Sequence, residues 1–309
     1  MNRIKHIPVL LSEFISILKP FKGGVYLDAT FGQGGYTKKI LELCECIVVG
    51  IDRDRDSLSF AKTIRKKYPN NFYFFNKRFS QISEIGSITN KKFDAIFFDL
   101  GLSNTQLSKS ERGFSFNLDG PLDMRMGCQK NNSITAKEII NEFSQEKLSE
   151  IFFKFGEEKK ARKISREIVK ARRKETIRST KQLYEIIRSA KNTVEKINPA
   201  TKVFQSLRIY INEELKELAE ALDASLTNLN ECGKIIVVSF HSLEDRIVKN
   251  FFKEKSGVLY ENYKHFPPKN RLRNSQLRII TKKPLVASSE ELKINNQSRS
   301  AKLRAAVLK

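Results

Sequence analysis

The chain has 309 residues, 40% of them hydrophobic and 30% charged, a make-up that suits a soluble globular protein with one large domain or a main domain and a second. No apolar run approaches the ~20 residues of a membrane span, and the start of the chain lacks the long apolar stretch of a signal peptide, so the cytoplasm is expected. A formal net charge of +22, from 57 lysines and arginines against 35 acids, points to a polyanionic partner.

The first hundred residues alternate strand and helix. Val25 to Thr30 is an apolar strand, followed by a glycine turn from Phe31 to Gly35 and a helix from Tyr36 to about Cys44. Cys46 to Asp52 is a second strand, residues 54–67 have apolar positions at helical spacing, Asn71 to Asn76 is a third strand, and Phe93 to Leu100 a fourth. Continuous apolar strands separated by helices imply a mostly parallel sheet covered on both faces. From 105 to 199 the chain is polar, basic and helical, which reads as an inserted helical domain; residues 1–104 and 200–309 form the sheet domain. Leucines and isoleucines at spacings of three and four predict one long helix over 203–229, ended by Gly233. Lys234 to Phe240 is a fifth strand, Leu243 to Lys253 a helix, and 277–282 with 301–308 a closing antiparallel pair.

Cys44, Cys46, Cys128 and Cys232, with only three histidines, show no zinc spacing, so buried free thiols and no metal are expected. Two stretches concentrate the positive charge. Lys159 to Arg178 has ten basic residues and two glutamates, and Lys264 to Lys283 has seven basic residues and no acid, with Tyr263 and Phe266 beside it. Each reads equally as an RNA grip or as a solvated face.

The first strand ends in Asp28-Ala29-Thr30-Phe31-Gly32-Gln33-Gly34-Gly35-Tyr36. Glycine permits the positive φ of a tight turn and close approach of a ligand to the backbone, and the helix that follows offers free N–H groups to an anion. Asp52, seventeen residues after Gly35, stands at the next strand end, where an acid can accept hydrogen bonds from both ribose hydroxyls of a nucleoside. A dinucleotide fold is the rival, but Thr37 stands where its third glycine belongs. The pattern resembles motif I of the methyltransferases that use S-adenosylmethionine. Phe79, just past the third strand, is placed to flank an adenine, or else to fill the core. Asp99, at the end of the fourth strand, emerges where ligands sit in open α/β sheets.

A longer resemblance follows. Glu111-Arg112-Gly113-Phe114-Ser115-Phe116 and Asp119-Gly120-Pro121-Leu122-Asp123-Met124-Arg125-Met126 are similar to the signature of the ribosomal small subunit methyltransferase H family, the 16S rRNA cytosine-N4-methyltransferases. His6 with Val9-Leu10-Leu11, Phe155-Gly156-Glu157-Glu158, Thr201 to Gln205 with Arg208, and Ser239-Phe240-His241-Ser242-Leu243-Glu244-Asp245-Arg246 extend the match nearly end to end. The resemblance implies a Rossmann-like class I methyltransferase with a seven-stranded sheet and an inserted helical domain for substrate recognition. It implies S-adenosylmethionine as cofactor and, as target, the exocyclic N4 of one cytosine in the decoding region of 16S rRNA, in the small ribosomal subunit or its assembly intermediates. A homodimer stays open as the assembly.

The same resemblance implies cofactor contacts at Gly34, Gly35, Tyr36, Asp52, Phe79, Asp99 and Gln106. Tyr36 departs from the family, which usually has histidine there, so a backbone rather than a side-chain contact is expected. The cytosine amine is a poor nucleophile because its lone pair is delocalised into the ring, and a proton must leave after transfer. Asp99 is the expected acceptor, with His241 as the alternative base. Ser103, Asn104, Arg112, Arg125, His241, Ser242 and Arg246 are the expected substrate contacts. Ser242 and Asp245 also read as a helix capping box. A non-catalytic RNA-binding factor is the remaining alternative, and the intact glycines and acids speak against it.

Overall fold

The computed structural model describes residues 8–127, 134–192, 198–257 and 275–309. His6, Cys128, Tyr263, Phe266 and most of the second basic stretch lie outside the described residues. The chain divides into two compact units, Met1–Gly101 with Leu215–Lys309, and Leu102–Glu214.

The first unit is built on one seven-stranded sheet. Its strands are β1 (Val25–Asp28), β2 (Ile47–Ile51), β3 (Phe72–Phe75), β4 (Phe93–Asp99), β5 (Leu229–Ser239), β6 (Leu277–Ile279) and β7 (Lys302–Leu308). They lie in the order β3-β2-β1-β4-β5-β7-β6; the first five are parallel, and β7 runs antiparallel to both β5 and β6. The unbroken apolar run of β4 follows from burial on both faces. Ala95 and Phe97 join a core with Tyr26, Val48 and Ile236, while Ile96 and Phe98 join the opposite core with Leu27, Val49 and Val237. Side chains that alternate across a sheet must all be apolar when helices cover both sides. The first core is closed by α1 (Leu11–Leu18), α2 (Gly35–Leu43) and α3 (Ser57–Lys67), the second by α4 (Ile82–Thr89), α11 (Glu214–Asn228) and α12 (Ser242–Lys255).

The second unit has a core of its own. Helices α5 (Asn104–Ser108), α6 (Ala136–Glu142), α7 (Gln145–Gly156), α8 (Ala161–Arg172), α9 (Thr180–Lys191) and α10 (Thr201–Asn212) bury Leu148, Phe152, Ile164, Ile168, Leu183, Ile187, Val203 and Leu207 among others. Glu158 and Lys191 form a buried ion pair at 2.8 Å, and the Lys160 amide donates to Glu158 Oε1 at 2.9 Å.

Four sequence expectations are corrected. The long helix over 203–229 is two helices, because Glu213 adopts a left-handed conformation (φ 53°) between α10 and α11. Helix α10 therefore belongs to the helical unit, which takes in residues 200–214 that periodicity alone joins to the sheet. Gly233 does not end a helix; it lies inside β5 at a register shift against β4, where a Cβ would sit 2.7 Å from the Asn230 carbonyl. The thiols are not all buried: Cys46 is buried, Cys44 half-buried and Cys232 exposed. Among the described residues no helix is long and apolar enough to cross a membrane.

Candidate active site

The strand order reverses between β1 and β4, and open α/β sheets bind ligands beyond the carboxyl ends of the strands at such a point. Three carboxylates stand there, Asp28 closing β1, Asp52 just past β2 and Asp99 closing β4.

Asp28 is buried beneath the glycine turn. Its Oδ2 accepts from the Thr37 hydroxyl at 2.6 Å and its Oδ1 from the Thr30 amide at 3.3 Å, so it ties the strand end to the first turn of α2. Burial pushes its carboxyl up to about 7; the Thr37 and Thr30 hydrogen bonds oppose the rise and the Asp52 charge adds to it. Asp28 is not among the expected site residues, although its place at the head of the glycine motif marks it.

Gly34 holds φ 73°, and a Cβ there would lie 2.5 Å from Ile64 Cδ1 and 2.6 Å from the Phe31 ring. Only glycine meets both conditions. A Cβ on Gly35 would lie 2.5 Å from Pro8 Cγ. Gly34 precedes α2 with no side-chain cap, so the first amides of the helix have no intrahelical acceptor and remain available to an anion. The Tyr36 side chain turns into the core instead. Its ring packs edge-on against Phe14 at 4.5 Å between centroids, and its hydroxyl donates to the Val9 carbonyl. Its backbone amide is what it presents to the turn.

Asp52 Oδ2 accepts from the Gly32 amide at 2.7 Å and Oδ1 from the Asp54 amide at 2.7 Å. Burial raises its carboxyl above the ordinary range despite these bonds. The Ser57 hydroxyl is a third donor to the carboxylate, which still has acceptor capacity left for a ligand. Phe79 opens a short 3-10 turn, Phe79–Gln81, and packs edge-on against Phe98 at 6.1 Å between centroids. Glu217, buried on α11, fixes that turn by accepting from Arg78 Nη1 at 2.7 Å and from the Ser80 hydroxyl at 2.9 Å. Nothing in the sequence pattern singled out Glu217; its role depends on a contact across 139 positions.

The Asp99 amide donates to the Thr30 hydroxyl at 2.6 Å. Its carboxylate is different from the other two: Oδ1 is buried and has no hydrogen-bond partner. Burial pushes the Asp99 carboxyl well above the usual carboxylate range, with the charges of Asp28 and Glu244 adding to the rise. Buried polar atoms are nearly always paired, and an orphan at a strand end marks a place where a ligand completes the bonding.

Beyond β5, the capping box at α12 is shifted one residue from the expected Ser242 and Asp245. His241 is the N-cap; its Nδ1 accepts from the Glu244 amide at 3.3 Å, and Glu244 Oε2 accepts from the Phe240 and His241 amides at 2.8 and 3.3 Å. Asp245 instead anchors β7, accepting from Arg304 Nε at 2.6 Å and Lys302 Nζ at 3.2 Å. Ser242 and Arg246 lie exposed on α12.

In the helical unit, Ser103 and Gln106 form a reciprocal capping box at α5, with Asn104 in its first turn. Gln106 is buried. Arg112 donates through Nη2 to the Arg125 and Met126 carbonyls, both at 3.1 Å, and Arg125 forms a two-pronged pair with Asp123 at 2.8 and 2.6 Å. Asn212, buried on α10, bonds the Met124 carbonyl and the Met126 amide, each at 2.8 Å. The long signature thus folds its own loop in place. The exposed charge lies on and just after α8, where Arg162, Lys163, Arg166, Lys170, Arg173, Lys174 and Arg178 face solvent while Ile164 and Ile168 face the core. Arg172 is withdrawn from that face, donating to the carbonyls of Ile140 and Phe143 at 2.7 and 2.6 Å.

A sheet of this order, with an antiparallel β7 slotted between β5 and β6, is the architecture of the class I methyltransferases. The profile of the MraW methylase family matches residues 3–309, and the chain belongs to that family. Two relatives named ribosomal RNA small subunit methyltransferase H, from Rickettsia massiliae and Rickettsia prowazekii, are 45% and 44% identical over 303 residues, 97% of this chain and 97% of theirs. Among solved structures, an rRNA methylase from Streptococcus thermophilus aligns over 98% of this chain and 99% of its own with a TM-score of 0.44 and 9% identity.

Proposed function

We propose that the chain transfers a methyl group from S-adenosylmethionine to the exocyclic N4 of a cytosine in the decoding region of 16S rRNA. The observation that carries the reading is the buried, unpartnered Oδ1 of Asp99 at the sheet's switch point. Family membership and the relatives' name support methylation of small-subunit rRNA. The residues at the first two strand ends fit the methyl donor. The free amides of α2 at Gly35 and Tyr36 suit its carboxylate, the Asp52 carboxylate at the strand end suits its ribose hydroxyls, and Phe79 suits its adenine. Gly34 lets the backbone approach, and Gln106 belongs to the same set by resemblance. When bound, S-adenosylmethionine supplies an electrophilic methyl group on a sulfonium.

Asp99 then serves the amine. Accepting an N4 hydrogen draws the lone pair out of the ring and towards the methyl carbon, and a carboxyl held above its ordinary range is matched to receive the departing proton. The cytosine has to leave its stack to reach this edge. The exposed cations of α8 suit the flanking phosphates, in the assembled small subunit or an intermediate of its assembly. Ser103, Asn104, Ser242 and Arg246 remain proposed substrate contacts. Arg112 and Arg125, both engaged within their own loop, shape it.

The test is transfer of a labelled methyl group to small subunits and free 16S rRNA from a strain lacking the gene, followed by mapping of the modified base. Incorporation at N4 of one cytosine, lost in Asp52→Ala together with cofactor binding in calorimetry, is the expected result. No incorporation into any substrate, with the donor bound, would overturn the substrate assignment.

A further inference from the structure

His241 holds a second orphan. Its side chain is only 9% exposed, and its Nε2 is buried with no hydrogen-bond partner. Glu244 Oε1 lies 3.1 Å away but outside hydrogen-bond alignment. The other ring nitrogen settles the proton. Nδ1 accepts the Glu244 amide as the cap of α12, so Nδ1 carries no hydrogen, and a neutral imidazole has its one N–H on the remaining nitrogen. Nε2 is therefore a donor, and a nitrogen that already holds its proton has no lone pair with which to collect another from the amine. Strand register brings this donor and the acceptor of Asp99 to the same edge of the sheet. Asp99 pairs with Val238 across β4 and β5, and His241 follows three residues on at the same carboxyl edge. A buried acceptor and a buried donor on adjacent strand ends match a base edge that presents an amine next to a ring acceptor, as cytosine does with N4 and N3.

We propose that His241 positions the target base by donating its Nε2–H to N3 of the pyrimidine, and does not take the amine's proton. The proposal rests on the cytosine-N4 reading above. It also assigns selectivity: uracil carries a hydrogen on N3, so it would face the His241 donor with another donor. Donation to the ring does not make the amine more nucleophilic, so His241 acts by orientation, and Asp99 alone handles the proton.

The experiment compares the full-length wild type with His241→Asn and His241→Ser. Both replacements are good helix caps, so α12 keeps its start, and neither can place an N–H where Nε2 stands. Thermal unfolding and calorimetry with S-adenosylmethionine report whether fold and cofactor site survive. With both intact, kcat/KM for undermethylated small subunits is expected to fall roughly ten- to a hundredfold. The pH–rate profile of the variants is expected to keep the acid limb of the wild type. Full activity in either variant overturns the proposal, and so does loss of the acid limb, which would make His241 the base. A wild type that binds the donor yet methylates no cytosine fails the underlying reading, and the variants are then not needed to see it.

Discussion

Asp28 gives the sharpest quantitative expectation. Replacing it with asparagine keeps the shape and both hydrogen bonds, since the amide oxygen accepts the Thr30 amide and the amide nitrogen meets the Thr37 hydroxyl. What the replacement removes is a carboxyl that burial forces up from 3.8 to about 7. That rise corresponds to a penalty of about 4 kcal/mol on the ionised form. The protonated group contributes its stability in full below the unfolded value near 4, and that contribution is lost as pH climbs through 7. Asp28→Asn carries no such dependence. Urea unfolding of the two proteins should give stabilities within about 1 kcal/mol of each other at pH 4, and the variant should be ahead by about 2–4 kcal/mol at pH 8. A gap that stays the same from pH 4 to pH 8 would refute the reasoning, because it would mean that Asp28 pays no desolvation cost in the folded state.

Four further outcomes are expected. Gly34→Ala should cost about 2–4 kcal/mol, from the left-handed backbone and from Cβ contacts of 2.5 and 2.6 Å, and should weaken S-adenosylmethionine at least tenfold in calorimetry. Gly32→Ala, at φ 54° but with its nearest neighbour 3.8 Å away, should cost only about 1 kcal/mol in the same urea assay. Asp245→Ala strands Arg304, whose side chain is 10% exposed, and should destabilise the sheet unit by about 3 kcal/mol in urea. Changing Lys163, Lys170 and Lys174 together to alanine should reduce the slope of log affinity for 16S rRNA against log salt by about 2–3, with binding of S-adenosylmethionine unchanged.

Much of this is legible in the amino-acid sequence. Alternation of apolar strands with amphipathic helices located the five parallel strands, and the closing pair at 277–282 and 301–308 was visible as well. The reason is that two-sided burial leaves its mark residue by residue. The glycine turn, Asp52 and Asp99 were legible for a related reason: a strand end has few positions, and a polar residue or glycine that interrupts an apolar run stands out there. Periodicity failed at Glu213, where heptad-like spacing continues across a backbone that turns, because a single left-handed residue breaks a helix without breaking its hydrophobic pattern. It failed again at the α12 cap, where Ser242 and Asp245 satisfied the rule and His241 and Glu244 took the positions, because the choice between adjacent caps depends on where β5 ends.

The local alphabet of the chain therefore determined its strands, its turn and the acids at the strand ends, since each is an interaction among near neighbours. Tertiary structure alone decided which of those acids is satisfied and which is not. Asp28 finds its donors within the turn that carries it and Asp52 between its own turn and the neighbouring glycine turn, whereas Asp99 Oδ1 and His241 Nε2 are left without partners only once β4 and β5 are laid side by side and closed over. An unpaired atom is a property of everything that packs around it, and no window of sequence contains that information.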